Sequence, residues 1–131
     1  MNSSKRIAVV GTAVAGLALT ALATAPTASA DSYNGCAWPR VCFYQTNAQW
    51  NSASPTAAYQ DVTTAYQNLG PNSRGADWVN NTRNDDRAYL RYIVNSSGAT
   101  QYLCLPPNHH VNFSSAFTVT GIRIDTAATC P

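Results

Sequence analysis

RAYLRYIV (87–94) is the stretch on which the fold turns. In an extended chain successive side chains point to opposite faces. Tyr89, Arg91 and Ile93 therefore face one way, and Leu90 and Tyr92 the other. That alternation, with aromatic and β-branched residues, predicts a half-buried strand. Working outward, RVCFYQ (40–45), TAAYQDV (56–62), ADWVNN (76–81), TQYLCL (100–105) and FTVTGIRI (117–124) have the same character. Turn-forming stretches separate them: TNAQWNSASP, LGPNSRG, TRNDD, NSSG and PPN. Short strands in this rhythm indicate an antiparallel sandwich or barrel. In FTVTGIRI the inward face is expected to switch at Gly121 through a bulge. PTAAYQDVTTAYQNLG (55–70) places Tyr59, Val62 and Tyr66 at helix-like spacing, which admits a helical turn. The two halves are loosely duplicated, four strands each, which suggests two Greek keys packed face to face.

The first thirty residues read as a secretory signal. Lys5 and Arg6 form a positive head, IAVVGTAVAGLALTALA (7–23) is apolar, and ASA (28–30) offers a small-x-small cleavage site. Cleavage is expected after Ala30, with Ala25 as the alternative site. An apolar run of about 17 residues is at the lower limit for spanning a bilayer, so a membrane anchor is the lesser reading. The chain from residue 31 to residue 131 is then one domain, expected to be an extracellular monomer. Eight Lys and Arg residues stand against six acidic ones in the whole chain; without Lys5 and Arg6, six arginines balance six aspartates. Such a balance excludes the basic stripe that nucleic acid or an anionic membrane demands.

All four cysteines, Cys36, Cys42, Cys104 and Cys130, lie beyond the leader, and an even count after a signal reads as two disulfides. Three pairings are possible. Cys36–Cys42 with Cys104–Cys130 is favoured, because the first two are close in sequence and the others then close the C-terminal half. A structural zinc site is disfavoured, since no paired C-x₂-C spacing is present.

LCLPPNHHV (103–111) gathers both histidines of the chain, two prolines and a cysteine. On a strand His109 and His110 would point apart, and there is no third histidine and no glutamate. No serine sits in a G-x-S-x-G setting, so neither metal nor triad chemistry is indicated. An enzyme is the last reading, and no cofactor is expected. Pro106 and Pro107 fix φ near −65° and push Leu105 towards extended geometry. Tied through Cys104, this becomes a stiff loop of the kind a protease cleft accepts, with Leu105 as an apolar pocket filler.

Three segments resemble a known family. CAWPRVCFYQTNAQW (36–50), NSRGADWVNNT (72–82) and AYLRY (88–92) are similar to the secreted actinomycete peptidase inhibitors typified by the Streptomyces metalloproteinase inhibitor. The resemblance spans most of 36–124. It implies an all-β, βγ-crystallin-like double Greek key sandwich, and inhibition of an extracellular peptidase, with a metalloprotease as the target class. It also implies a reactive bond at Cys104–Leu105 in the segment Cys104, Leu105, Pro106 and Pro107. The family's second local cysteine falls near His109 here, so Cys104 must pair elsewhere. Trp50 is followed by Asn51 and Ser52, not by the glycine usual in crystallin-like hairpins, so that turn must be built differently.

Calcium-binding relatives would use the positions of Asn72, Ser73, Ala76 and Asp77, where one carboxylate remains; calcium, which takes six to eight oxygens, is not expected. The adjacent carboxylates of NDDR (84–87) read as a solvated charge pair. Trp38, Trp50 and Trp78 read mainly as packing residues. The alternative functions are a killer-toxin-like antimicrobial on the same fold and a carbohydrate- or cell-wall-binding module that uses exposed Tyr and Trp.

Overall fold

The computed structural model describes residues 32–131, so the leader expected over 1–30 lies outside the described residues. The elements in chain order are β1 (Val41–Tyr44), α1 (Asn47–Asn51), β2 (Ala57–Tyr59), β3 (Gln67–Asn68), β4 (Trp78–Asn81), β5 (Arg87–Val94), β6 (Ala99–Leu105), β7 (His109–Asn112) and β8 (Phe117–Asp125). Two four-stranded antiparallel sheets result, ordered β2-β1-β4-β7 and β3-β8-β5-β6. Each half contributes three strands to its own sheet and lends its third, β3 or β7, to the other. The halves are thus interlocked, and neither sheet is complete without the other half's strand.

The core lies between the sheets. Val41, Phe43 and Val79 meet Leu90, Leu105, Val119, Ile122 and Ile124 there. In β5 the buried residues are Ala88 and Leu90, while Tyr89 and Arg91 lie on the outer face, as the alternation requires. β1 is buried on both faces. Val41 and Phe43 enter the core, whereas Cys42 and Tyr44 pack outward under a second cluster with Cys36, Trp50 and Trp78.

β8 carries the expected bulge, one residue before Gly121. Arg91 pairs with Gly121 and Tyr92 with Val119, which leaves Thr120 as the extra residue. The slip explains why Val119 and then Ile122 and Ile124 are all buried, although their numbering breaks parity.

The helical turn admitted for 55–70 is absent. β2 and β3 occupy the segment, and its apolar residues do not share a face. Tyr59 packs edge-on against Phe43, Val62 is half exposed, and Tyr66, beside β3, packs at a tilt against Tyr102 of β6. The helical turn forms earlier, at Asn47–Asn51. Thr46 caps it: its hydroxyl accepts from the Gln49 N–H, and the Gln49 side chain accepts from the Thr46 N–H. This turn, with Ala53 at φ 54°, replaces the missing glycine hairpin.

The disulfides are Cys36–Cys42 and Cys104–Cys130. They close loops of sequence separation 6 and 26, contributing about 2.4 and 3.5 kcal/mol by chain entropy as upper figures. No helix among the described residues is long and apolar enough to cross a membrane. Two disulfides in so small a chain are compatible with an oxidising, extracellular setting.

Candidate functional site

The segment singled out by its prolines forms the corner where the chain leaves β6 in one sheet and enters β7 in the other. Its residues do not act alike. Cys104 is partly buried, opposite Tyr89 on β5, and bonded to Cys130. Leu105 is a core residue, 3% exposed. This corrects the expectation that Leu105 fills a partner's pocket, because the core needs its side chain beside Ala88 and Val79. Exposure begins after it: Pro106 and Pro107 are half-buried, and Asn108, His109 and His110 are exposed.

The corner is held from beneath by Asn81, a fully buried residue of β4. Its Nδ2 donates towards the carbonyl oxygens of Asp86 (3.0 Å), Leu105 (3.3 Å) and Pro106 (3.2 Å). The Asn108 N–H donates to the Arg83 carbonyl at 3.1 Å, and Asn108 takes φ 57°, a region asparagine tolerates. His109 turns back so that Nδ1 lies 2.7 Å from the Pro107 carbonyl. The supporting 82–86 loop is fixed in turn by an Arg83–Asp86 ion pair and by Arg83 donating to the carbonyls of Pro39 (2.8 Å) and Gln60 (3.1 Å). Asp86 is 8% exposed, so the NDDR carboxylates are not a solvated pair; Arg83 compensates the buried one.

Beside the corner lies an aromatic patch. His110 stacks on Tyr33 (centroids 5.8 Å, planes 13° apart) and stands 5.0 Å from Trp50 and 5.8 Å from Trp78. Trp50 and Trp78 stack at 4.4 Å, and Trp78 Nε1 donates to Asn47 Oδ1 at 2.7 Å. Tyr44 lies edge-on to Trp50 at 5.0 Å, and its hydroxyl donates to the Asn34 carbonyl at 2.7 Å. Burial pushes the Tyr44 phenol above its ordinary pKa, and a hydrogen bond with Asn80 only partly offsets this. An open hollow of about 220 Å³, lined by Ser32, Tyr33, Asn80, Asn81, Thr82 and Asn108, joins the patch to the corner.

His109 and His110 have separate surroundings, one on a backbone carbonyl and one in the aromatic patch. No cluster of three metal-ligating side chains occurs among the described residues. Two site residues escaped the sequence. Asn81 looked like any strand asparagine, and Tyr33 preceded the first expected strand. The pairing of β4 with β7 sets Asn80 opposite His110 and Asn81 opposite His109, and Asn80 Nδ2 then donates to the Tyr33 carbonyl at 2.9 Å.

No family model matches the chain, and neither a curated protein nor a solved structure is significantly similar to it.

Proposed function

We propose that this is a secreted, non-enzymatic inhibitor of an extracellular peptidase, built on a βγ-crystallin-like double Greek key, and that the Pro106–His109 corner enters the protease cleft. The exchange of third strands between the sheets supports the fold reading. One observation carries the functional reading: the corner is restrained from three sides, by the Cys104–Cys130 bond, by the buried Leu105 and by the Asn81 amide. A segment ordered before binding loses little conformational entropy on entering a cleft. A nicked corner would also stay in place, because Cys104 and Leu105 anchor it on one side and the pairing of β7 with β4 on the other. The contact residues are therefore moved two positions on from the Cys104–Leu105 bond that the family resemblance implies.

The test is incubation of the disulfide-intact protein with a panel containing thermolysin-like metalloproteases and serine proteases. Inhibition constants and the position of any cut would be recorded together. Inhibition that weakens in Asn108→Ala or His109→Ala, with unchanged thermal stability, supports the reading. Absence of inhibition across the panel, or inhibition that neither variant alters, removes it.

A further inference from the structure

The outer face of the β3-β8-β5-β6 sheet bears a second array, separate from the exposed residues of the corner, which begin only where the chain leaves β6. Cation and aromatic ring alternate across it. The Arg87 guanidinium lies 4.9 Å from the Tyr89 ring centre, Arg123 lies 4.6 Å from Tyr89 and 5.5 Å from Tyr66, and Arg91 lies 5.7 Å from Tyr66. Tyr102, 60% exposed, is the cross-strand neighbour of Arg91 and packs 5.4 Å from Tyr66. Gly121 gives Arg91 room: a Cβ there would stand 2.8 Å from Arg91 Nη2, so a larger residue would shift the guanidinium from its place across the sheet.

The charges on this face are not equally compensated. Arg87 donates to Asp125 Oδ1 at 2.9 Å and to the Thr129 carbonyl. Among the described residues Arg91 donates only to neutral acceptors, Asn68 Oδ1 at 2.6 Å and the Thr120 hydroxyl and carbonyl. Arg123 Nε has no hydrogen-bond partner among the described residues, and its nearest carboxylate oxygen, on Asp125, is 3.7 Å from Nη2. Among the described residues, three of the six arginines thus share one face with a single aspartate, Asp125. The near-neutral sequence conceals a face with two surplus positive charges. Beside Arg123 an open hollow of about 490 Å³ is lined by Val62, Thr63, Thr64, Arg123, Asp125 and Thr126. Its size is in the range of small-ligand sites.

We infer that this face binds an acidic polysaccharide, a chain of sugar rings each carrying a carboxylate. The charge and the ring pattern argue for this occupant together. A guanidinium fork matches a carboxylate, and an exposed Tyr ring offers an apolar plane for a sugar ring. Tyr102 and Arg91 are neighbours across paired strands, about 5 Å apart, so one monomer can stack on the first while its carboxylate meets the second. Nucleic acid, with a charge every ~1.7 Å of duplex axis, would call for far more cations than two. Such binding would hold the protein on an acidic wall or capsule by this face, while the exposed His109 and His110 of β7, on the other sheet, stay free.

The probe is polygalacturonate, tested by affinity electrophoresis and by titration calorimetry with the disulfide-intact protein. The native protein is expected to bind at low salt and to be released at 1 M salt, where the screening length is about 3 Å. Tyr102→Ala and Arg123→Gln should each weaken binding roughly tenfold. Arg40→Gln, a charge-matched change on the other sheet, should not. Circular dichroism must show each variant folded; Tyr102→Ala, altering an exposed ring, is the variant that separates binding from folding. No binding to polygalacturonate, equal binding by all variants, or tighter binding to single-stranded DNA or to a phosphate-bearing glycan would each overturn the inference.

Discussion

The Asn81 side-chain amide lies 3.3 Å from the Leu105 carbonyl oxygen and 3.2 Å from that of Pro106, across 24 and 25 residues of chain. One buried amide therefore fixes the direction in which the chain leaves the core at the corner.

Asn81→Ala should destabilise the protein by about 3 kcal/mol, because buried carbonyl oxygens lose their donor. Urea unfolding measures the loss. Proton exchange at the Asn108 amide, which donates to the Arg83 carbonyl, should accelerate more than exchange in β5. A uniform acceleration would mean that Asn81 supports the whole fold and not the corner.

Leu105→Ala should cost about 3 kcal/mol, as expected for a large-to-small change in a packed core. Pro107→Ala, at a half-buried corner position, should cost under about 1 kcal/mol. Thermal unfolding of the two variants side by side checks the division between core residue and surface residue within one short segment.

Gly35→Ala should be among the most damaging single changes. Gly35 has φ +76°, and an added Cβ would stand 1.9 Å from the Ala53 carbonyl oxygen, a backbone atom that cannot rotate away. The loop that covers Cys42 and Tyr44 would have to lift. A loss of more than about 3 kcal/mol is expected. Gly98→Ala, also at positive φ but with open space around it, should cost only about 1 kcal/mol.

Asp125 sets an acid dependence. Burial works to raise its pKa, but this is outweighed by the hydrogen bond from Arg87, the Ala127 N–H and the charges of Arg87 and Arg123, so the net value falls below the ordinary 3.8. A carboxylate depressed in the folded state adds stability that is present above its unfolded pKa and is lost as pH falls through the folded one. Native protein should therefore exceed Asp125→Asn in stability at pH 7. The difference should shrink from about pH 4 downward and vanish in stronger acid. Urea midpoints at pH 7, 4 and 2 measure it; a gap that persists at pH 2 would contradict the sign.

Strand positions were largely legible because the alternation in RAYLRYIV and the bulge near Gly121 are local consequences of pleat and backbone. β3 and β7 were not legible. At two and four residues, with Gln67–Asn68 and His109–Asn112 as their sequences, they carry no hydrophobic period and are strands only because β8 and β4 supply their hydrogen bonds. The candidate corner was half legible. Its prolines marked a stiff connection, but whether Leu105 faced a partner or the core depended on which sheet each flanking strand joined.

Composition and residue order by themselves determined an all-β chain with two cross-links, because strand periodicity and cysteine spacing are properties of neighbours along the chain. Tertiary structure alone decided that Asn81 braces a corner and that three arginines of a near-neutral chain collect on one sheet face. Those contacts join residues far apart in sequence: the direct pairing of β5 with β8 gathers the arginines, and the lending of β7 to the sheet of β4 brings Asn81 to the corner.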